Sequence, residues 1–250
     1  MNYGDGVYGG MFVAGMYAAA YFEDSDVHKV LREGLACIPE ASEYHQCISD
    51  VIRWHAEAPA DWLSVWRKIE LKWQDNKDCA PKESFNIDAK LNGAYIVMGL
   101  LYGEGDILKT AEIATRCGQD ADCNPSNAVG ILGCMKGYRA LGDLVAGIEP
   151  IAQRPFIHTA YSFESLIPAC RRIAEQIVVT SGGRVDAEGF DIPVQAPQPP
   201  ETFEQWTRQV IDDGQGLSPR DVSMWNPAWR VVACGLDMGP GLMEEKSGKT

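Results

Sequence analysis

Basic residues are scarce in this 250-residue sequence. Lysine and arginine number 22 against 35 acidic residues, which gives a formal net charge of −13. Non-specific nucleic-acid binding depends on basic patches, so we expect no nucleic-acid partner. Long apolar runs are missing as well, since the candidate at 11–22 is only about twelve residues long and too short to cross a bilayer. We therefore expect neither a membrane span nor a membrane partner.

Several common site motifs are also missing. The eight cysteines contain no C-x-x-C pair, which favours reduced thiols in a cytoplasmic protein, and the N-terminus shows no signal-peptide pattern. Zinc binding by Cys117, Cys123, Cys134 and a histidine stays open, although no ligand spacing favours it. The sequence has no G-x-S-x-G motif and no phosphate-binding loop, and no catalytic residue is assigned.

What the sequence does contain is a repeated helical period of apolar residues, with Ser or Asp before most of the runs. This pattern predicts an all-α bundle over 1–143. Residues 144–250 are predicted to form a helical and irregular extension packed on the bundle, with a frayed tail from about 238 and a loop or short strand pair within 184–200. Helices are predicted at 11–22, 26–37, 42–57, 61–73, 87–102, 106–117, 125–141, 162–180 and 201–211.

The segment 117–126 holds two carboxylates, Asp120 and Asp122, immediately before a helix that Asn124 is expected to cap and Pro125 to begin. Gly118 permits a sharp turn, and the apolar helices on either side are expected to enclose the loop. Enclosed like charges need a counter-charge, for which a hard divalent cation is suited. A solvated loop at a helix start is the competing interpretation.

These residues resemble the metal motif of the ADP-ribosylglycohydrolases, including the dinitrogenase-reductase-activating glycohydrolases. The usual form is Gly-Gly-Asp-Thr-Asp-Thr entering a glycine-striped helix. The resemblance covers about 3–142 and, more loosely, the segment to 200. It rests on the letters GQDADCN at 118–124, the glycines at 130, 133 and 137, LNGA at 91–94, GEGD at 103–106 and GDGVYGG at 4–10.

The resemblance implies an orthogonal all-α bundle with two Mg²⁺ or Mn²⁺ ions, which hydrolyses a glycosidic bond of an ADP-ribosylated substrate. It makes Asp120 and Asp122 metal ligands. The third ligand of the motif is a threonine in the family, and here that position is Cys123, whose soft sulfur suits Mg²⁺ poorly.

The family carries further metal ligands in an N-terminal Thr-Asp-Asp motif, which is not found upstream here. The one adjacent pair, Asp212 and Asp213, lies downstream. The resemblance therefore implies a fold truncated at its N-terminus, with an N-terminal half encoded separately as a partner. The alternatives are a non-catalytic remnant that binds ADP-ribose or a partner chain, and a structural interaction domain.

The glycine-rich segment 2–10 carries Asp5, Tyr8 and Gly9, which are candidates for lining the substrate cleft because glycine amides can approach phosphates closely. The competing interpretation is a simple lead into the apolar helix that follows. No strand precedes these glycines, so they are not a dinucleotide-binding fingerprint.

Overall fold

A computed structural model describes residues 4–74 and 87–201. The described chain is mostly helical, which confirms the all-α prediction. The helices are α1 Asp5–Ala20, α2 Val27–Leu35, α3 Glu43–Glu57, α4 Trp62–Trp73, α5 Ala89–Gly103, α6 Ile107–Arg116, α7 Cys123–Lys136 and α8 Phe163–Thr180, with a 3-10 segment at Tyr138–Ile151. Strands β1 Arg184–Val185 and β2 Phe190–Asp191 form a short antiparallel hairpin.

Side-chain caps set most of the helix starts at the predicted places. Asp26, Ser42, Asp61 and Asp106 each accept a hydrogen bond from the backbone N–H three residues later. Ser162 does the same for α8. A cap of this kind contributes about 1 kcal/mol, because it satisfies a backbone donor that has no partner in the helix.

Helix α5 forms the centre of the bundle, and α1 to α4, α6 and α7 pack around it. It is buried on nearly every side, so its sequence is apolar all round rather than striped. Close approach of α3 requires small residues, since a Cβ at Gly93 would overlap the hydroxyl of Tyr44. The buried N-terminal turn of α5 is the part that reaches the candidate site.

Two boundaries differ from prediction by five residues or more. Helix α1 begins at Asp5 rather than 11, so the glycines that resemble a loop lie inside the helix. A Cβ at Gly9 would come 2.9 Å from the Tyr44 ring, which explains why a glycine is needed there. Helix α7 ends at Lys136 rather than 141, because Gly137 takes a positive φ of 74° and the chain continues as a 3-10 segment.

The burial of helix α8, in the segment after the bundle, also differs in part from what its sequence predicts. Ile167, Ile173 and Ile177 belong to the apolar period of α8, but they are more than half exposed, and Ala169 and Val178 are buried instead. The division at 143 stays a prediction. The predicted helix at 201–211, Asp212, Asp213 and the tail from 238 fall outside the described residues. Among those described, no helix is long and apolar enough to span a membrane.

Candidate metal centre

Helix α7 starts at the loop that carries the two aspartates, and its cap is Asp122 rather than the predicted Asn124. The Asp122 carboxylate accepts a hydrogen bond from the N–H of Cys123 at 3.0 Å, and the backbone carbonyl oxygen of Asp122 accepts one from the hydroxyl of Ser126 at 2.6 Å. A negative side chain at this end of a helix is favoured by the helix dipole. Asn124 lies inside the first turn and is buried.

The chain turns sharply between α6 and α7. Gly118 has φ +94° and Gln119 has φ +51°, so two successive residues are left-handed. The expectation that glycine allows a tight turn here is confirmed, whereas a left-handed glutamine is uncommon and needs support from its surroundings. Its side-chain oxygen gives that support by accepting the N–H of Asp88 at 3.0 Å.

A second tie to α5 runs through Asn92. Its side-chain oxygen accepts the backbone N–H of Asp120 at 3.1 Å and the Nδ2 of Asn124 at 2.7 Å. The first turn of α5 therefore holds both the loop and the start of α7. Asn92 belongs to the LNGA motif at 91–94, but its contacts with the loop were not predicted, and the local signal for them is a polar amide in a mostly apolar helix.

The loop brings together Asp120, Asp122 and Cys123. One ligand atom from each lies within 4.8 Å of the others. Two ligands of one Mg²⁺ ion lie at most about 4.2 Å apart, twice a typical Mg–O bond, so small side-chain rotations would let this group chelate one ion. The donor set of two carboxylates fits a hard divalent cation, and the thiol is the poor member.

The loop is more open than the sequence suggests. Asp120 is half-buried, but Asp122 and Cys123 are exposed, so the prediction that flanking helices enclose the carboxylates is wrong for Asp122. The N-terminal end of α5 contacts the inner side of the loop, and the outer side of the loop faces solvent. An ion held there would have open positions for water or substrate oxygens.

The pKa values of the two exposed candidate ligands, Asp122 and Cys123, are shifted in opposite directions. A hydrogen bond shared with the Asp120 side chain and a hydrogen bond donated by the N–H of Cys123 lower the pKa of Asp122 below its usual value. A hydrogen bond to Asp120 and the negative charge of that residue raise the pKa of the Cys123 thiol. Asp122 is therefore a ready anionic ligand, whereas the thiol of Cys123 keeps its proton at neutral pH.

The three predicted substrate-contacting residues lie on α1. Tyr8 is buried in the core at 1% exposure, and Gly9 packs against Tyr44. The Asp5 carboxylate accepts the N–H of Tyr44 at 3.2 Å. These positions serve packing and helix capping, and the predicted contact of Asp5, Tyr8 and Gly9 with substrate stays a prediction.

Asp5 also belongs to a charged cluster beside the loop. The buried Lys90 ammonium lies 3.1 Å from Glu43, 3.8 Å from Asp5 and 4.0 Å from Asp88. Burial lowers the pKa of Lys90, but the charges of Asp88 and Glu43 outweigh it and the net pKa lies above its usual value. Burial raises the pKa of Asp5 against the opposing pull of Lys90. This cluster anchors the N-termini of α1, α3 and α5.

Comparison with known proteins adds one finding. A family model described as ADP-ribosylglycohydrolase matches residues 2–176, which include all of α1 to α7 and the loop between α6 and α7. No curated protein and no solved structure gives a significant match.

The six described cysteines, at 37, 47, 117, 123, 134 and 170, are all free.

Proposed function

The chain belongs to the ADP-ribosylglycohydrolase family, and we propose that it hydrolyses the glycosidic bond that joins ADP-ribose to a protein or small-molecule acceptor, with Mg²⁺ or Mn²⁺ as cofactor. The family is generally metal-dependent. The observation that carries the proposal is the group of Asp120, Asp122 and Cys123, whose ligand atoms lie within 4.8 Å of one another inside the matched region.

The residues of the chain divide the work in a simple way. Asp120 and Asp122 would each hold the ion through a carboxylate oxygen. Asp122 also caps α7. A divalent ion bound there would act as a Lewis acid toward the ribose hydroxyls and a water molecule. The exposure of Asp122 and Cys123 leaves the outer side of the loop accessible to a large anionic substrate.

A second candidate is binding without hydrolysis. It is favoured by the composition of the site, since Asp120, Asp122 and Cys123 are the one group of three candidate ligands found within 4–74 and 87–201, and one of them is a thiol. A two-ion site would need more oxygen ligands than these two carboxylates provide. Those ligands would come from water, from substrate or from a separately encoded partner chain.

The reaction can be tested with peptides ADP-ribosylated on arginine or on serine. We expect the full chain to release free ADP-ribose with Mg²⁺ or Mn²⁺ and to lose this activity in EDTA, because the acidified water depends on the ion. Chromatography of released ADP-ribose is the measurement. Tight binding of ADP-ribose without release from either peptide would favour the second candidate, and neither binding nor release would contradict both.

The thiol at position 123 predicts an unusual metal preference. Replacing Cys123 with threonine substitutes a hard oxygen for a protonated sulfur, so we expect Mg²⁺ to bind about three- to tenfold more tightly and Cd²⁺ to bind more weakly. Calorimetric titration with both ions measures the change. Cys170→Thr, which alters an exposed cysteine on α8, is the control and should leave both affinities unchanged. Equal effects of the two substitutions would show that Cys123 is not a metal ligand.

A further inference from the structure

Asn92 joins three elements through one side-chain amide. Its Nδ2 donates to the carbonyl oxygen of Asp88 at 2.9 Å, one turn earlier in α5. Its Oδ1 accepts the N–H of Asp120 at 3.1 Å and the Nδ2 of Asn124 at 2.7 Å. The two donors at one end and the carbonyl at the other fix the orientation of the amide, since a flipped group would face each partner with the wrong atom.

The partners of Asn92 depend on it. Asn124 is 2% exposed, and its other acceptor, the carbonyl oxygen of Gly118, is distant at 3.5 Å. Without Asn92, the buried amide of Asn124 would lose its short hydrogen bond. Rearrangements of the loop that give this amide a new acceptor would then be favoured. The turn at Gly118 and Gln119 is left-handed and needs such external ties to persist.

Among the described contacts, the backbone of Asp120 is bonded to two helices: its carbonyl oxygen accepts the N–H of Asn124 on α7 at 3.0 Å, and its N–H donates to Asn92 on α5 at 3.1 Å. The Asp122 carboxylate, by comparison, bonds to the helix that it caps. The bond to Asn92 links the Asp120 backbone to α5, through a residue that lies 28 positions away in the chain, and so limits the directions in which Asp120 can present its carboxylate toward Asp122.

We infer that Asn92 is a positioning residue for the metal loop, and that its amide oxygen sets the affinity of the Asp120–Asp122 site for a divalent cation. This inference rests on the proposed function, in which the two aspartates hold the ion. Asn92 touches neither the ion nor the substrate. Its role is to hold the loop in the shape that brings the two carboxylates to one centre.

The test uses four variants of the full chain and Mn²⁺ as the probe. Asn92→Ala and Asn92→Leu remove the amide, and leucine also preserves the side-chain volume should alanine prevent folding. Asn92→Asp keeps an acceptor for Asp120 and Asn124 but loses the donor to the Asp88 carbonyl oxygen. Asn127→Ala is the matched control, because it removes an amide on α7 that donates to the Cys123 carbonyl oxygen at 3.0 Å and has no described bond to Asp120 or Asp122.

We expect Asn92→Ala and Asn92→Leu to weaken Mn²⁺ binding about 10- to 100-fold in calorimetric titration, as is typical when a residue that orients a metal ligand is lost. Asn92→Asp should bind Mn²⁺ at least about threefold more tightly than Asn92→Leu, since it keeps the acceptor, and Asn127→Ala should be unchanged. Hydrogen exchange without metal gives a second readout: the Asp120 amide should exchange at least about tenfold faster in the two loss variants and stay protected in Asn92→Asp.

Wild-type affinity in folded Asn92→Leu would overturn the inference, as would equal losses in Asn92→Leu and Asn127→Ala. Mn²⁺ binding by Asn92→Asp that is no tighter than by Asn92→Leu would overturn it as well. If wild type itself does not bind Mn²⁺, the proposed function fails. If wild type binds and the Asn92 variants bind equally well, only the inference about Asn92 fails.

Discussion

Replacing Asp120 or Asp122 with asparagine is expected to weaken Mn²⁺ binding by at least about a hundredfold, because each removes a charged ligand and the loss should exceed that of a residue outside the coordination shell. Asparagine suits this purpose because it has almost the same shape and is as good a helix cap as aspartate, so α7 should keep its N-terminus in Asp122→Asn. Calorimetric titration of each variant with Mn²⁺ measures the effect.

The control for this prediction is Asp143→Asn, an exposed aspartate in the 3-10 segment that loses the same charge at a distance from the loop. It corrects for the general attraction of a chain of net charge −13 for cations. Mn²⁺ affinities that are the same in all three variants would show that binding is diffuse. Loss in Asp120→Asn and Asp122→Asn alone places the ion at the loop.

The second large effect is expected on stability. Lys90→Met should lower the free energy of unfolding by about 3–5 kcal/mol at pH 7, because it leaves the carboxylates of Asp5, Glu43 and Asp88 together without their shared cation. Methionine keeps the volume and flexibility of the lysine stem, so the loss reports charge rather than a cavity. Urea denaturation of the metal-free chain measures it.

The pH dependence of that loss has a definite sign. The pKa of Asp5 is already raised by burial, and Lys90 opposes the rise. In Lys90→Met this pKa should rise further, so the folded variant takes up a proton that the unfolded chain does not yet bind, and it gains stability as the pH falls from 7 toward the raised pKa. We therefore expect the difference between wild type and variant to shrink in acid.

The matched control is Lys68→Met on α4, whose ammonium lies 3.4 Å from Glu57 at the surface. An exposed pair of this kind contributes about 0–1 kcal/mol, and its loss should depend little on pH in the same range. A deficit in Lys90→Met no larger than in Lys68→Met, or one that grows as the pH falls, would mean that Lys90 does not neutralise the buried carboxylates.

Features that depend on neighbouring residues could be predicted from the sequence. The caps at Asp26, Ser42, Asp61 and Asp106 lie where predicted, because a short polar side chain before an apolar period is a local signal. The loop between α6 and α7 was predictable for the same reason. Its two aspartates are close in sequence, and a two-residue spacing already limits how far apart their carboxylates can lie.

Features that depend on distant contacts could not be predicted. Gly9 resembles part of a loop, but it lies in α1, where the Tyr44 ring occupies the space that a side chain would need. Asn92 reaches Asp120 and Asn124 across 28 and 32 positions, and no local pattern marks such a pairing. The openness of Asp122 is likewise set by which face of α7 the bundle covers, and hydrophobic period alone does not determine it.

Anomalous diffraction from a crystal of the full chain soaked in Mn²⁺ tests most directly whether the Asp120–Asp122 loop is a divalent cation site. We predict an anomalous peak about 2.0–2.3 Å from one carboxylate oxygen of Asp120 and one of Asp122, within the range expected for hard-cation–oxygen bonds. The same crystal form of Asp120→Asn should lack the peak. A strong peak elsewhere, with none at the loop at a Mn²⁺ concentration that saturates binding in solution, would contradict the assignment of the metal centre.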